Sequence, residues 1–137
     1  MRNVIILKGE RSTGKSETLR SYLPPKLGYS SGKLILNYND KRILIIRRSI
    51  HESPDWKSVI KKIIKYKDHI IVVAAWLDEI VKESKCIKRK LEEVLSSQSS
   101  DAYNFHEVFT SYQKSLTSQK QDHERCSSEI KKIIDSL

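Results

Sequence analysis

The chain has 137 residues, 38% hydrophobic and 31% charged, with a formal net charge of +9. That is enough for one globular domain with a core covered on two faces, and it excludes a disordered polymer. No apolar run approaches the roughly 20 residues that a membrane-spanning helix needs.

The opening MRNVIILKGE has too short an apolar run for a signal-peptide core, so Met1 is read as the start of a cytoplasmic chain. Arg2 to Leu7 is β-branched and nearly all apolar, as a strand buried on both faces requires. After a Gly-rich break, KSETLRSYL has helical character, and Pro24-Pro25 is expected to stop it. Lys26 to Gly32 reads as a loop. The runs Leu34–Leu36 and Ile43–Ile46 flank Asn39-Asp40, two residues that tolerate positive φ, so a hairpin is expected. Ser53, Pro54 and Asp55 form a helix start, and Trp56, Val59, Ile60, Ile63 and Ile64 then share one helical face. His69–Ala75 is a second buried strand. Helical spacing runs from Leu77 to about Leu95, SSQSS at 96–100 reads as a loop, and NFHEVFTSY at 104–112 favours a strand by its aromatic and β-branched content. A helix over Glu124–Leu137 closes the chain. The sum is a single α/β domain, 1–137. It has a mostly parallel sheet of about five strands with one antiparallel hairpin strand, and helices on both faces in three layers.

Between the first strand and the first helix stands GERSTGKS, Gly9 to Ser16. A tight glycine-containing loop can turn successive N–H groups towards an anion, and a helix N-terminus adds free donors and its dipole. Gly9, Glu10, Arg11, Ser12, Thr13, Gly14, Lys15, Ser16 and Glu17 are the candidate phosphate-binding residues. Lys15 would reach the β- and γ-phosphates, and the Ser16 hydroxyl would ligate Mg²⁺. Through this complete Walker A pattern and its strand–loop–helix setting, the chain resembles the P-loop NTPase superfamily. The resemblance implies a nucleoside triphosphate with Mg²⁺. No Asn/Thr-Lys-x-Asp string that would read guanine is present, so ATP is favoured. The layout is also similar to small P-loop proteins of phages and mobile elements, from which no residue is carried over.

That superfamily normally ends a buried strand in a magnesium-directing acid, and this chain departs from it. The strand 70–75 runs into Ala75-Trp76. Asp78 and Glu79 follow on a helix's first turn, where they complement its dipole. Asp68 precedes the strand, at the wrong end. If the strand Ile43–Ile46 is parallel to the first, its trailing segment reaches the ligand edge. Glu52 or Asp55 could then serve metal or water, and Arg47 or Arg48 could face phosphate. Lys15 and Glu52 are the catalytic candidates.

Cys86 and Cys126 lie far apart with no Cys-x-x-Cys pair, which suits reduced, partly buried thiols. His106 and His123 read as surface residues, and Trp56 and Trp76 as packing residues. Lys82, Lys85, Lys88, Arg89 and Lys90 would make a basic face on one helix, but the positive charge overall looks scattered. The expected activity is Mg²⁺-dependent binding and slow hydrolysis of ATP, serving a partner or homo-oligomer. The alternatives are a small kinase, or a non-catalytic nucleotide- or anion-binding module with a nucleic-acid-binding surface. No membrane partner is expected.

Overall fold

The computed structural model describes residues 2–10, 13–52, 55–83 and 90–137. The strands are β1 (Arg2–Gly9), β2 (Ile35–Tyr38), β3 (Lys41–Ile46), β4 (His69–Trp76) and β5 (Tyr103–Phe109). They form one sheet in the order β2-β3-β4-β1-β5. β1 pairs in parallel with both β4 and β5, β3 pairs in parallel with β4, and only the β2–β3 pair is antiparallel.

Strand periodicity explains how the sheet is covered. Ile5 and Leu7 of β1 face one apolar cluster, and Val4 and Ile6 face the other. The first cluster is closed by Leu19, Leu23, Cys126, Ile130 and Ile134. The second is closed by Ile60, Ile63, Leu91, Val94 and Leu95. Helices therefore cover both faces of the sheet. Each large aliphatic side chain buried in these layers contributes about 1.5–3 kcal/mol relative to exposure. The β2–β3 turn is built by Asn39 (φ 48°) and Asp40 (φ 63°), the left-handed pair that a tight hairpin demands.

The helical segment after β1 does not stop at the two prolines. It runs as α1 (Lys15–Glu17), a π-helical turn (Thr18–Tyr22) and α2 (Leu23–Lys26). Pro24 and Pro25 bring no N–H to the carbonyls of Arg20 and Ser21, four residues back. Those carbonyls are satisfied from outside, by the Gly32 N–H at 2.7 Å and the Ser31 hydroxyl at 3.5 Å. The widened turn gives the proline rings the room that a regular helix denies them.

α3 (Trp56–Lys65) starts after Asp55, which accepts the Ser58 hydroxyl at 2.8 Å. Ser53 and Pro54, expected at this helix start, lie outside the described residues. The helical stretch expected from Leu77 to Leu95 is two helices, α4 (Asp78–Glu83) and α5 (Leu91–Gln98), because Lys90 is extended at ψ 153° as the N-cap of α5. α5 also takes up the first three residues of the expected SSQSS loop. α6 (Leu116–Ser136) begins eight residues before the expected Glu124, where the Ser115 hydroxyl accepts the Ser118 N–H at 3.1 Å. Its polar first turns carry no apolar stripe that would reveal them.

Candidate functional site

The carboxyl ends of β1, β3, β4 and β5 share one edge of the sheet, and the loop after β1 stands at that edge between β4 and β5. Gly9 is level with Trp76 of β4, and Thr110, just past β5, bonds to the Lys8 carbonyl through its N–H at 2.8 Å. Thr110 also donates its hydroxyl to Thr13 Oγ1 at 2.7 Å, and Thr13 donates to the Glu10 carbonyl at 2.9 Å. A Cβ at Gly9 would lie 1.9 Å from Thr110 Oγ1, so only glycine fits.

Gly14 takes the left-handed conformation, φ 84°, and leads into α1. Its carbonyl accepts the Thr18 N–H at 2.9 Å and the Thr18 hydroxyl at 2.9 Å. The buried Lys15 side chain folds back, so that Nζ donates to the Gly9 carbonyl at 3.2 Å and the Glu10 carbonyl at 2.6 Å. Ser16 is exposed on the first helical turn, and the half-buried Glu17 receives Arg20 at 2.9 Å. That bond draws the Glu17 carboxyl below its ordinary range. Of the nine expected loop residues, Arg11 and Ser12 lie outside the described residues; the others meet at one turn.

The acids sort differently. β3 is parallel to β4, so the segment after it does reach the loop's edge, but β4 stands between it and β1. Residues 50–52 form a short 3₁₀ turn there. His51 accepts the Trp76 N–H on Nδ1 at 3.0 Å, which pins the turn to the strand end beside Gly9. Glu52 is the next residue, and its side chain lies outside the described residues. Arg47 and Arg48 are exposed at the same edge, and Glu79 is exposed on α4.

Asp78 does more than complement a helix dipole: it is ion-paired. Lys8, the penultimate residue of β1, is buried, and its Nζ meets Asp78 at 3.2 Å, Glu92 at 2.9 Å and Glu107 at 3.0 Å. Burial works against the charge, but the three carboxylates outweigh it and hold the ammonium above its ordinary range. The sequence held one signal of this cluster, a lysine at the end of a strand buried on both faces, which needs a partner. Among the described residues, no group of three or more His, Cys, Asp or Glu side chains is placed to hold a metal ion.

Two histidines read as surface residues are not. His123 of α6 is buried against the loop, with Nδ1 at 3.2 Å from Thr18 Oγ1 and its ring edge-on to Tyr22. The half-buried His106 contacts Asn3 and Asn104, each at 3.2 Å, at the opposite end of the sheet. Cys126 is fully buried beneath β5, and burial followed by the nearby Asp122 pushes its thiol up to about 12. Of the basic face expected on 82–90, only the Lys90 side chain is described; it lies 3.9 Å from Asp78. Cys86 is outside the described residues. No helix among the described residues is long and apolar enough to cross a membrane. Comparison with protein-family models, curated proteins and solved structures finds no match to this chain.

Proposed function

We propose that the chain binds a nucleoside triphosphate, with ATP favoured, and hydrolyses it slowly with Mg²⁺, in the manner of the P-loop NTPases that its GERSTGKS stretch resembles. The observation that carries this reading is the Lys15 ammonium, drawn over the loop by the Gly9 and Glu10 carbonyls at the carboxyl edge of a parallel sheet. The Gly9 and Glu10 carbonyls are neutral acceptors that phosphate oxygens can replace, since bonds to a charged acceptor are roughly twice as strong.

The donor set fits a polyphosphate and a hard cation. Lys15 would hold the β- and γ-phosphates, and the Ser16 hydroxyl would ligate Mg²⁺. When bound, the metal neutralises charge on the phosphate oxygens. Glu52 is assigned to orient the attacking water, because its neighbour His51 anchors the 50–52 turn to Trp76 beside the loop. One observation favours a second reading: Asp78, the carboxylate nearest in sequence to the end of β4, is committed to Lys8. Without a working acid, the site would bind nucleotide and not cleave it.

Calorimetric titration with ATP, GTP and non-hydrolysable analogues in Mg²⁺, beside a phosphate-release assay, separates these readings. ATP binding with phosphate release is expected from the wild type. Lys15→Ala should weaken ATP affinity by about 10- to 100-fold, the loss of charge-assisted bonds of roughly 1.5–3 kcal/mol, in a variant that circular dichroism shows to be folded. Unchanged affinity in that variant rejects the phosphate-loop reading. Binding without release selects the non-catalytic module, or a kinase deprived of its acceptor.

A further inference from the structure

The positive charge is concentrated in one stretch of the chain. Residues 41–67 hold nine Lys and Arg and only two acids. On α3, Lys57, Lys61 and Lys65 recur every fourth residue and are all exposed, with Lys62 beside them. At 1.5 Å per residue they form a row spaced about 6 Å apart. Exposed Lys67 follows the helix, and exposed Arg42 leaves β3 on the face of the sheet that α3 covers. The helix is flanked by Asp55 and Asp68, but among the described residues none of these six cations forms an ion pair.

α6 shows the usual alternative. There Arg125 pairs with Glu129 and Lys131 with Asp135, each four residues apart. On α3 the same spacing brings lysine to lysine, an arrangement that destabilises an isolated helix. We propose that this face of α3 docks on the phosphate backbone of double-stranded nucleic acid, without reading base sequence.

Three observations select that partner. Duplex nucleic acid presents one charge per about 1.7 Å of axis, so a row of this spacing meets phosphates in any register. A membrane-surface helix must offer apolar side chains to lipid, whereas Ile60 and Ile63 of α3 are buried and Trp56, Val59 and Ile64 pack on the core. An acidic protein partner would call for a central apolar anchor, and between these lysines the exposed face offers only Ser58. The surface is independent of the nucleotide site, so either reading can fail alone.

The test is fluorescence anisotropy of a labelled mixed-sequence duplex of about 20 base pairs, titrated with the full chain at several salt concentrations. Wild-type affinity should fall linearly in log–log form with salt. Lys57→Gln/Lys61→Gln/Lys65→Gln should make that slope shallower by about 2.7, three phosphate contacts at about 0.9 each. Lys15→Ala should leave it unchanged. Should the triple variant not fold, Lys61→Gln/Lys65→Gln serves, with a shift of about 1.8. The proposal is overturned by no duplex binding at low salt, by an unaltered slope in the variant, or by binding only to phosphatidylserine–phosphatidylcholine vesicles.

Discussion

Gly14 is constrained twice, by its own backbone and by a neighbour. Its φ of 84° is one that side-chain-bearing residues avoid, and a Cβ would sit 2.0 Å from His123 Cε1. Gly14→Ala should therefore cost about 1–2 kcal/mol for the backbone and about 1–3 kcal/mol for overpacking. Removing the ring with His123→Ala should recover the second part and leave the first. Urea unfolding of the two single variants and the double variant checks this, and simple additivity would mean that the ring does not press on the loop.

Cys126 makes a pH-dependent prediction at the same scale. The unfolded thiol loses its proton near the ordinary value of 9.0, and the folded thiol near 12. The stability it provides is complete below pH 9 and declines as the pH rises from 9 towards 12, because only the unfolded chain then gains by ionising. Cys126→Ser should flatten that decline in denaturation curves taken across this range. A decline of equal steepness would place the alkaline sensitivity elsewhere.

Between elements, Lys8 is the principal polar tie. One ammonium joins β1 to α4, α5 and β5 through Asp78, Glu92 and Glu107. Lys8→Met should leave three carboxylates facing one another without the Lys8 ammonium, with Lys90 at 3.9 Å from Asp78 as the remaining cation among the described residues. Breaking a buried pair costs about 3–5 kcal/mol. Two of these acids are more than a third exposed, so water screens part of the loss and about 2–3 kcal/mol is expected. Chemical denaturation measures it, and a change below about 0.5 kcal/mol would show the tie to be replaceable by water. This network was hidden in the sequence because its acids lie 70, 84 and 99 residues from Lys8. The elements themselves were more legible. β1 and β4 showed as unbroken apolar runs, and the hairpin showed in Asn39-Asp40. The two-helix split at Lys90 did not show, because apolar spacing continues across an extended residue as readily as through a helical one.

For the molecule as a whole, sheet membership was legible and neighbour order was not. Apolar runs reveal which strands are buried, but not that β4 lies between β1 and β3. That placement divides the candidate site. The residues of the glycine loop could be read in order along the chain. The bond from Trp76 to His51, and His123 arriving from α6, depend on the three-dimensional arrangement. The lysine row on α3 was partly visible as the polar side of an amphipathic helix. Its lack of acid partners among the described residues emerged only when the ion pairs elsewhere had been placed.

Pro24 and Pro25 turn the 31–32 bend into a fastener. The carbonyls of Arg20 and Ser21 depend on Gly32 and Ser31 for their bonds. Lifting that bend from the helical segment would uncover both at once, on the same stretch that begins at Lys15. The hairpin β2–β3 starts three residues beyond Gly32, at the outer edge of the sheet. Force or binding at that edge therefore has a short covalent route to the segment carrying Lys15, with two hydrogen bonds as its clasp.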